Sequence, residues 1–282
     1  MANLKEIRNR ISSVSSTMQI TSAMKMVSAA KLKKAQDAIV AMRPYSNKLT
    51  GILQGLFSSI DSDNVFIQNI EANKTLIICI TSNRGLCGGF NSNIIKKCVS
   101  LASNKNQEVS FLCLGKKGSD ILSKKHNVIL TKNEIFEDMS FENVKEIADL
   151  LIQKFVDEEF EKIQIVYNRF KNAATQIVIN EQFLPILPAD DQQENNQNYI
   201  FEPSKLEIVN ELIPKSLRTQ LFKALRDSYA SEHGARMTAM HKATDNATEL
   251  RDQLKLTYNK ARQAAITNEI LEIVGGAEAL NN

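Results

Sequence analysis

LKEIRNRISSVSSTMQITSAMKMVSAAKLKKAQDAIVAMR, residues 4–43, carries apolar residues at alternating steps of three and four. Stepping that way from Leu4 gives Ile7, Ile11, Val14, Met18, Thr21, Lys25, Ser28, Leu32, Ala35, Ile39, Met42, Ser46, Leu49, Leu53, Leu56 and Ile60. Thirteen of these seventeen positions are apolar, which is helical periodicity and not the alternation of a strand. A 3.5-residue period held this long predicts a helix that winds left-handedly against a second helix. Pro44 lies inside the pattern and removes a backbone donor, so a kink is expected near Arg43.

The other end of the chain supplies the second helix. Residues 215–282 contain no proline, and Pro214 suits a first helical turn. Met240, Ala243, Ala247, Leu250, Leu254, Thr257, Ala261 and Ala264 repeat with 3–4 spacing. Small residues in such a seam let two helix axes approach closely. Gly275 and Gly276 are expected to end or fray this helix. The expected fold class is therefore α/β, with an antiparallel coiled coil of the N- and C-terminal helices and a central Rossmann-like α/β domain. Residues 1–60 and 210–282 are expected to form one discontinuous coiled-coil domain, and residues 74–205 the central one.

Between the ends the period changes. TLIICIT (75–81) is a short buried-strand run closed by SNRG. Residues 91–103 follow as a helix, with Asn91 or Ser92 as its cap. VSFLCLG (109–115) is a second strand, 141–161 is helical by period, 163–167 is a strand, and 176–187 is extended. Strands alternating with helices predict a largely parallel sheet. ADDQQENNQN (189–198) is a polar loop tip, and YIFEP (199–203) suggests a last strand.

Composition excludes several classes. The chain has 282 residues, 35 Lys plus Arg against 32 Asp plus Glu, and a net charge of +3. That near balance does not suit a bulk polyelectrolyte partner. No unbroken apolar run is longer than the five residues of LIICI at 76–80, far short of the roughly 20 that span a membrane. The opening MANLKEIRNR has no apolar block behind its charges, so no secretory signal is expected, and it reads directly into an ordered repeat, so no organelle transit peptide is expected either. Cys79, Cys87, Cys98 and Cys113 contain no CxxC pair, and His126, His233 and His241 lack zinc-ligand spacing. Cys79 and Cys113 sit inside apolar runs, so buried thiols are expected there, in a reducing compartment.

No catalytic, cofactor or metal site emerges. The segment SNRGLCGGFN sits between strand and helix and invites a phosphate-binding reading. It lacks the GK[ST] of a nucleotide-cradling loop and does not fit GxGxxG, so a tight connecting turn is the simpler reading. Arg84 in that turn suits a carboxylate on a partner, with an ordinary solvated arginine as the alternative. Residues 1–34 hold seven bases and one acid, while 11–24 hold no charge at all. After Arg262 only acids occur: Glu269, Glu272 and Glu278. A neutral band on a protruding coiled coil suggests a surrounding protein socket. Nucleic acid would need aromatic residues among the bases, and Trp is absent.

Three segments carry a resemblance. IRNRISSVSSTMQITSAMKMVSAAKLKKAQ (7–36), SNRGLCGGFN (82–91) and SEHGARMTAMHKATDNATELRDQLKLTYNKARQAAITNEILEIVGGAEAL (231–280) closely resemble the gamma subunit of F-type ATP synthases. Residues 107–138 and 189–198 match only in type. Two departures stand out: Asn83 where aspartate is commoner, and Gly234 where alanine is usual. The first is expected to weaken a local arginine–carboxylate contact. The second is expected to loosen the helix by about 1 kcal/mol relative to alanine.

The resemblance implies a non-catalytic rotor shaft that holds no cofactor. Its implied partners are the alpha and beta subunits of the ATPase ring, the epsilon subunit and the c-ring. The implied location is peripheral, at the cytoplasmic face of a bacterial plasma membrane. By position, Arg262 and Gln263 match a pair that hydrogen-bonds a beta-subunit loop. Arg236, Thr267 and Glu269 match polar positions implicated in coupling, with Met24 and Lys25 on the facing helix, and Arg84 matches the turn arginine that faces the ring. Two other classes stay open on the residues alone: a nucleotide-binding α/β enzyme with coiled-coil arms, and a free-standing adapter on nucleic acid or a membrane surface.

Overall fold

The computed structural model describes residues 4–57, 66, 73–103, 108–186, 202 and 205–280. The expected loop tip at 189–198 and all of the expected last strand except Glu202 lie outside them, as does Ile60. The chain forms two compact units: residues 1–28 with 237–282, and residues 29–236. Helices α1 (Leu4–Phe57) and α5 (Lys205–Leu280) each contribute to both.

In the first unit the two helices run antiparallel. Arg8 Nη2 donates to Tyr258 Oη at 3.3 Å, Thr248 Oγ1 to Met18 Sδ at 3.3 Å, and Thr244 Oγ1 to Thr21 Oγ1 at 2.8 Å. Numbers rise on one helix as they fall on the other. The seam expected on α1 holds: Ile7, Thr21 and Ser28 are buried, and Leu4, Ile11, Val14, Met18 and Lys25 are half-buried. The facing seam needs correction. Leu250, Thr257 and Ala264 are exposed, and the covered stripe is Met240, Ala243, Thr244, Ala247, Thr248, Arg251, Leu254, Tyr258 and Ala261. Arg251 and Tyr258 cover the seam with their apolar stems while their polar tips reach Met18 and Arg8.

Two expected helix limits also move. Helix α5 begins at Lys205, so Pro214 lies inside it and not in its first turn. The lost backbone bond is offset by burial of the flanking Ile213 and Leu217 against the sheet. Gly275 and Gly276 do not end the helix, which runs to Leu280. Two glycines cost roughly 1 kcal/mol each, and the residues that follow them, AEAL at 277–280, are good helix formers. The assigned helix α1 likewise runs on through Pro44.

The second unit is a five-stranded sheet in the order β3-β2-β1-β4-β5. Its strands are β1 (Lys74–Ile80), β2 (Glu108–Leu114), β3 (Asn127–Lys132), β4 (Lys162–Phe170) and β5 (Gln176–Leu184). The first four are mutually parallel, and β5 pairs antiparallel to β4. Strand β1 is central and buried on both faces, as its unbroken apolar run requires. One face carries Leu76, Ile78 and Ile80 against α4 (Phe141–Val156) and against Leu217 and Leu221 of α5. The other carries Ile77 and Cys79 against α2 (Phe90–Ala102). Further along, Leu32, Ala35, Ile39, Leu49 and Leu53 of α1 are buried. Strand β3 and the short α3 (Lys116–Leu122) were not expected from sequence. Helix α4 stops five residues earlier than its period suggests, where Asp157 caps it and Glu158 takes a positive φ.

All four cysteines are free and buried. Hydrogen bonding to Cys113 and Cys98, reinforced by burial, holds the Cys79 thiol well above its ordinary range. Among the described residues no helix is long and apolar enough to cross a membrane.

Gly115 fixes how β2 meets β1. Its φ is +110°, and a Cβ there would lie 2.1 Å from the Thr81 carbonyl oxygen. Gly115→Ala should lower stability by about 2–4 kcal/mol in urea unfolding of the full chain. Gly275→Ala, where a Cβ meets nothing within 4 Å, should instead raise it, by up to about 1 kcal/mol.

Candidate functional site

Strand β1 leads into Thr81 and Ser82, both buried, and the chain then turns through residues 83–89 into α2. Two positive φ values shape this turn, +62° at Leu86 and +58° at Gly88. Side chains hold it from beneath. Ser82 N–H donates to Asn91 Oδ1 at 2.9 Å, and Asn91 Nδ2 donates to Ser82 Oγ at 2.8 Å and to Cys87 Sγ at 3.3 Å. Ser82 Oγ in turn donates to the Arg84 carbonyl at 2.6 Å. Asn91 thus clasps the turn and does not cap α2, whose N-cap is Gly89 with no side-chain cap bond.

Asn83 uses both ends of its amide. Nδ2 donates to the Asn133 carbonyl at 2.8 Å, and Oδ1 accepts the Lys116 N–H at 3.0 Å. A carboxylate there could accept but not donate. The asparagine therefore ties the turn to the start of α3 and the end of β3, a role the sequence did not suggest.

Helix α5 closes the turn from the other side. Arg236 is buried, 7% exposed. Its Nη2 donates to the Arg84 and Gly85 carbonyls at 3.0 and 3.3 Å, and Nε donates to Gly85 at 3.4 Å. Nη1 donates to Glu232 Oε1 at 2.6 Å and meets His233 Nδ1 at 3.4 Å. A guanidinium has no lone pair to offer, so Nδ1 is the acceptor and the ring proton of neutral His233 sits on Nε2. That Nε2 is buried without a hydrogen-bond partner among the described residues. The His233 ring meets Tyr229 edge-on at 4.4 Å. Ser231 Oγ donates to the Asn168 carbonyl of β4 at 2.9 Å, fixing α5 to the sheet.

Burial pushes the Glu232 carboxyl up, while Arg236, Lys31 and Arg84 pull it down. Burial, then Arg236 and Lys31, lower His233 to about 3. Gly234 lets α5 come close to the β4–β5 connection. A Cβ there would stand 3.3 Å from Ala173 Cα and 3.4 Å from Phe170 Cε2. Its role is this close approach.

The expected site residues fall into three places. Arg84 is exposed on the turn while Arg236 is buried behind it. Met24 and Lys25 lie half-buried on α1 in the coiled-coil unit. Arg262, Gln263, Thr267 and Glu269 are exposed on α5 beyond Ala261. By the antiparallel register Leu4 comes level with about Ala261, so in this unit the described part of α1 covers nothing further. That bare stretch also exposes Ile266, Ile270, Leu271, Ile273 and Val274, each 48% or more. Glu232 and His233 are the site residues that sequence reading missed. The Glu–x–x–x–Arg spacing of one helical turn was the available signal. Among the described residues no group of three or more His, Cys, Asp and Glu side chains is arranged to hold a metal.

A family model described as ATP synthase matches residues 3–280. The chain is 65% identical to the ATP synthase gamma chain of Flavobacterium psychrophilum, over 99% of both chains. It is 44% identical to that of a Geobacter species, again over 99% of both. The chain belongs to the ATP synthase gamma-chain family. Its fold is similar to a chain in the OSCP/F1/c-ring structure of the Euglena gracilis mitochondrial ATP synthase. That match has a TM-score of 0.73 at 23% identity, covering 98% of this chain and 94% of the other. A rotor structure of the same enzyme gives 0.69 at 23% identity, over 93% and 98%.

His233 supplies a pH test of this gamma-family site. Its folded value, about 3, lies below the ordinary 6.5. The unfolded chain therefore takes up a proton that the folded chain refuses. The contribution to stability is complete above pH 6.5 and is lost as the pH falls toward 3. Urea midpoints at pH 7 and pH 5 should differ less in His233→Gln than in the unaltered chain.

Proposed function

We propose that this chain is the central rotor shaft of a proton-translocating F-type ATP synthase and does no chemistry itself. The observation that carries this reading is the bare stretch of α5 beyond Ala261. A single helix exposing Ile266, Ile270, Leu271, Ile273 and Val274 needs an apolar sleeve around it. A ring of alpha and beta subunits is that sleeve. The family membership and the rotor and c-ring named for the Euglena relatives support the same partners.

The coiled-coil unit, residues 4–28 with 237–280, stands in the ring. The central domain, 74–205, forms the foot beside the epsilon subunit on the c-ring. The chain is peripheral, at the cytoplasmic face of a bacterial plasma membrane, as the bacterial relatives suggest. Proton flow turns the foot. The asymmetric shaft then touches each beta conformation differently, and only such differential contact moves a conformational equilibrium. Arg262 and Gln263 hydrogen-bond a beta subunit. Thr267 and Glu269 continue that polar edge, Met24 and Lys25 face the ring from α1, and Arg84 faces it from the turn.

A nucleotide-binding enzyme is the rival reading. Phosphate is held by backbone N–H groups. The turn after β1 instead offers the Arg84 and Gly85 carbonyls, which suit a cation and are engaged by Arg236. Equilibrium dialysis of the full chain against ATP should therefore find no stoichiometric binding.

Co-purification tests the assignment: the tagged chain should bring down an alpha/beta ATPase. In that complex, Arg262→Ala with Gln263→Ala should slow ATP hydrolysis by about tenfold, equivalent to about 1.4 kcal/mol of lost interaction. Unchanged hydrolysis removes the pair from the contact.

A further inference from the structure

In an open parallel sheet the ligand crevice lies beyond the carboxyl ends of the strands where the strand order reverses. Here that point lies between β1 and β4, with β2 and β3 laid down on one side of β1 and β4 and β5 on the other. Helix α5 fills it. Ser231 is fixed to Asn168 near the end of β4, and Arg236 reaches the turn that follows β1.

All three guanidinium nitrogens of Arg236 are engaged inside the chain, on two carbonyls, one carboxylate and one imidazole. No nitrogen is left to point outward. Both members of the ion pair are 7% exposed. The carbonyls of Arg84 and Gly85 are turned inward by this grip, while the Arg84 side chain and Leu86, 65% exposed, stand outward.

We propose that Glu232 and Arg236 form a built-in clamp on the turn backbone, and that Arg236 is a positioning residue which aims Arg84 and Leu86 at the partner. Glu232 holds the guanidinium flat against the carbonyls. His233 occupies the remaining direction of Nη1 as a neutral acceptor. The planar fork matters as well as the charge, because a lysine in its place cannot span two carbonyls and a carboxylate at once. The proposal rests on the reading that the turn faces a partner, and two measurements keep the two apart.

The first is hydrogen exchange in the full chain. In Arg236→Lys and in Glu232→Gln, amides of residues 85–88 should exchange about tenfold faster or more, while those of β1 keep their rates. Glu232→Asp should lie between. The reversed pair, Glu232→Arg with Arg236→Glu, restores an ion pair without the donors at position 236 and should remain fast. Unchanged exchange in Arg236→Lys, or full recovery in the reversed pair, overturns the clamp.

The second is proton pumping per ATP hydrolysed in the assembled complex. Arg84→Ala should reduce it at least about twofold, and in Arg84→Ala with Leu86→Ala, adding Arg236→Lys should reduce it no further, because Arg236 acts through those two residues. Losses that multiply show that Arg236 makes its own partner contact and overturn its positioning role. Unchanged pumping in Arg84→Ala overturns the partner-facing reading on which the proposal rests, whatever the exchange rates show.

Discussion

The seam between residues 4–28 and 237–261 is the constraint from which the coiled-coil unit follows. A helix whose apolar side chains recur every 3.5 residues cannot bury them alone. Each Leu or Ile left in water forgoes about 1.5–3 kcal/mol. Pairing Arg8 with Tyr258, Met18 with Thr248 and Thr21 with Thr244 fixes an antiparallel register. By that register the described part of α1 covers α5 only as far as about Ala261.

The second unit solves a different problem with the same helix. There α5 packs against a sheet through Ile213, Leu217 and Leu221, and its polar residues Ser231, Glu232, His233 and Arg236 gather at the sheet's carboxyl end. A sheet of this topology has a crevice in that place. Filling it with a guanidinium requires inward-facing carbonyls, and the positive φ at Leu86 and Gly88 shapes the turn that supplies them. The departures from the family pattern fit this packing. Asn83 both donates and accepts, tying the turn to α3 and β3, and Gly234 admits the β4–β5 connection against α5.

Much of this was legible in the residues. The α1 seam, the antiparallel partner, the parallel sheet around TLIICIT and the buried cysteines all rest on apolar periodicity. The errors in the α5 seam have one cause, which is that periodicity weighs side chains by type and not by reach. Leu250 and Thr257 looked better suited to a seam than Arg251 and Tyr258, yet the longer stems cover more surface. Pro214 looked like a helix start because local propensity was read without the packing of Ile213 and Leu217 that overrides it. Strand β3 was hidden by its half-exposed edge position, and α3 by its shortness. The Glu232–Arg236 clamp was invisible because its carbonyl partners lie about 150 residues away along the chain.

Cross-linking the seam tests the account most directly. The Thr21 and Thr244 hydroxyls lie 2.8 Å apart, so Thr21→Cys with Thr244→Cys brings two thiols within bonding reach. Under mild oxidation of the assembled ATPase, the account predicts a disulfide within the chain in high yield and ATP hydrolysis that continues, since both residues ride on one rigid element. Failure of the bond to form, or its formation with loss of hydrolysis that returns on reduction, would contradict it.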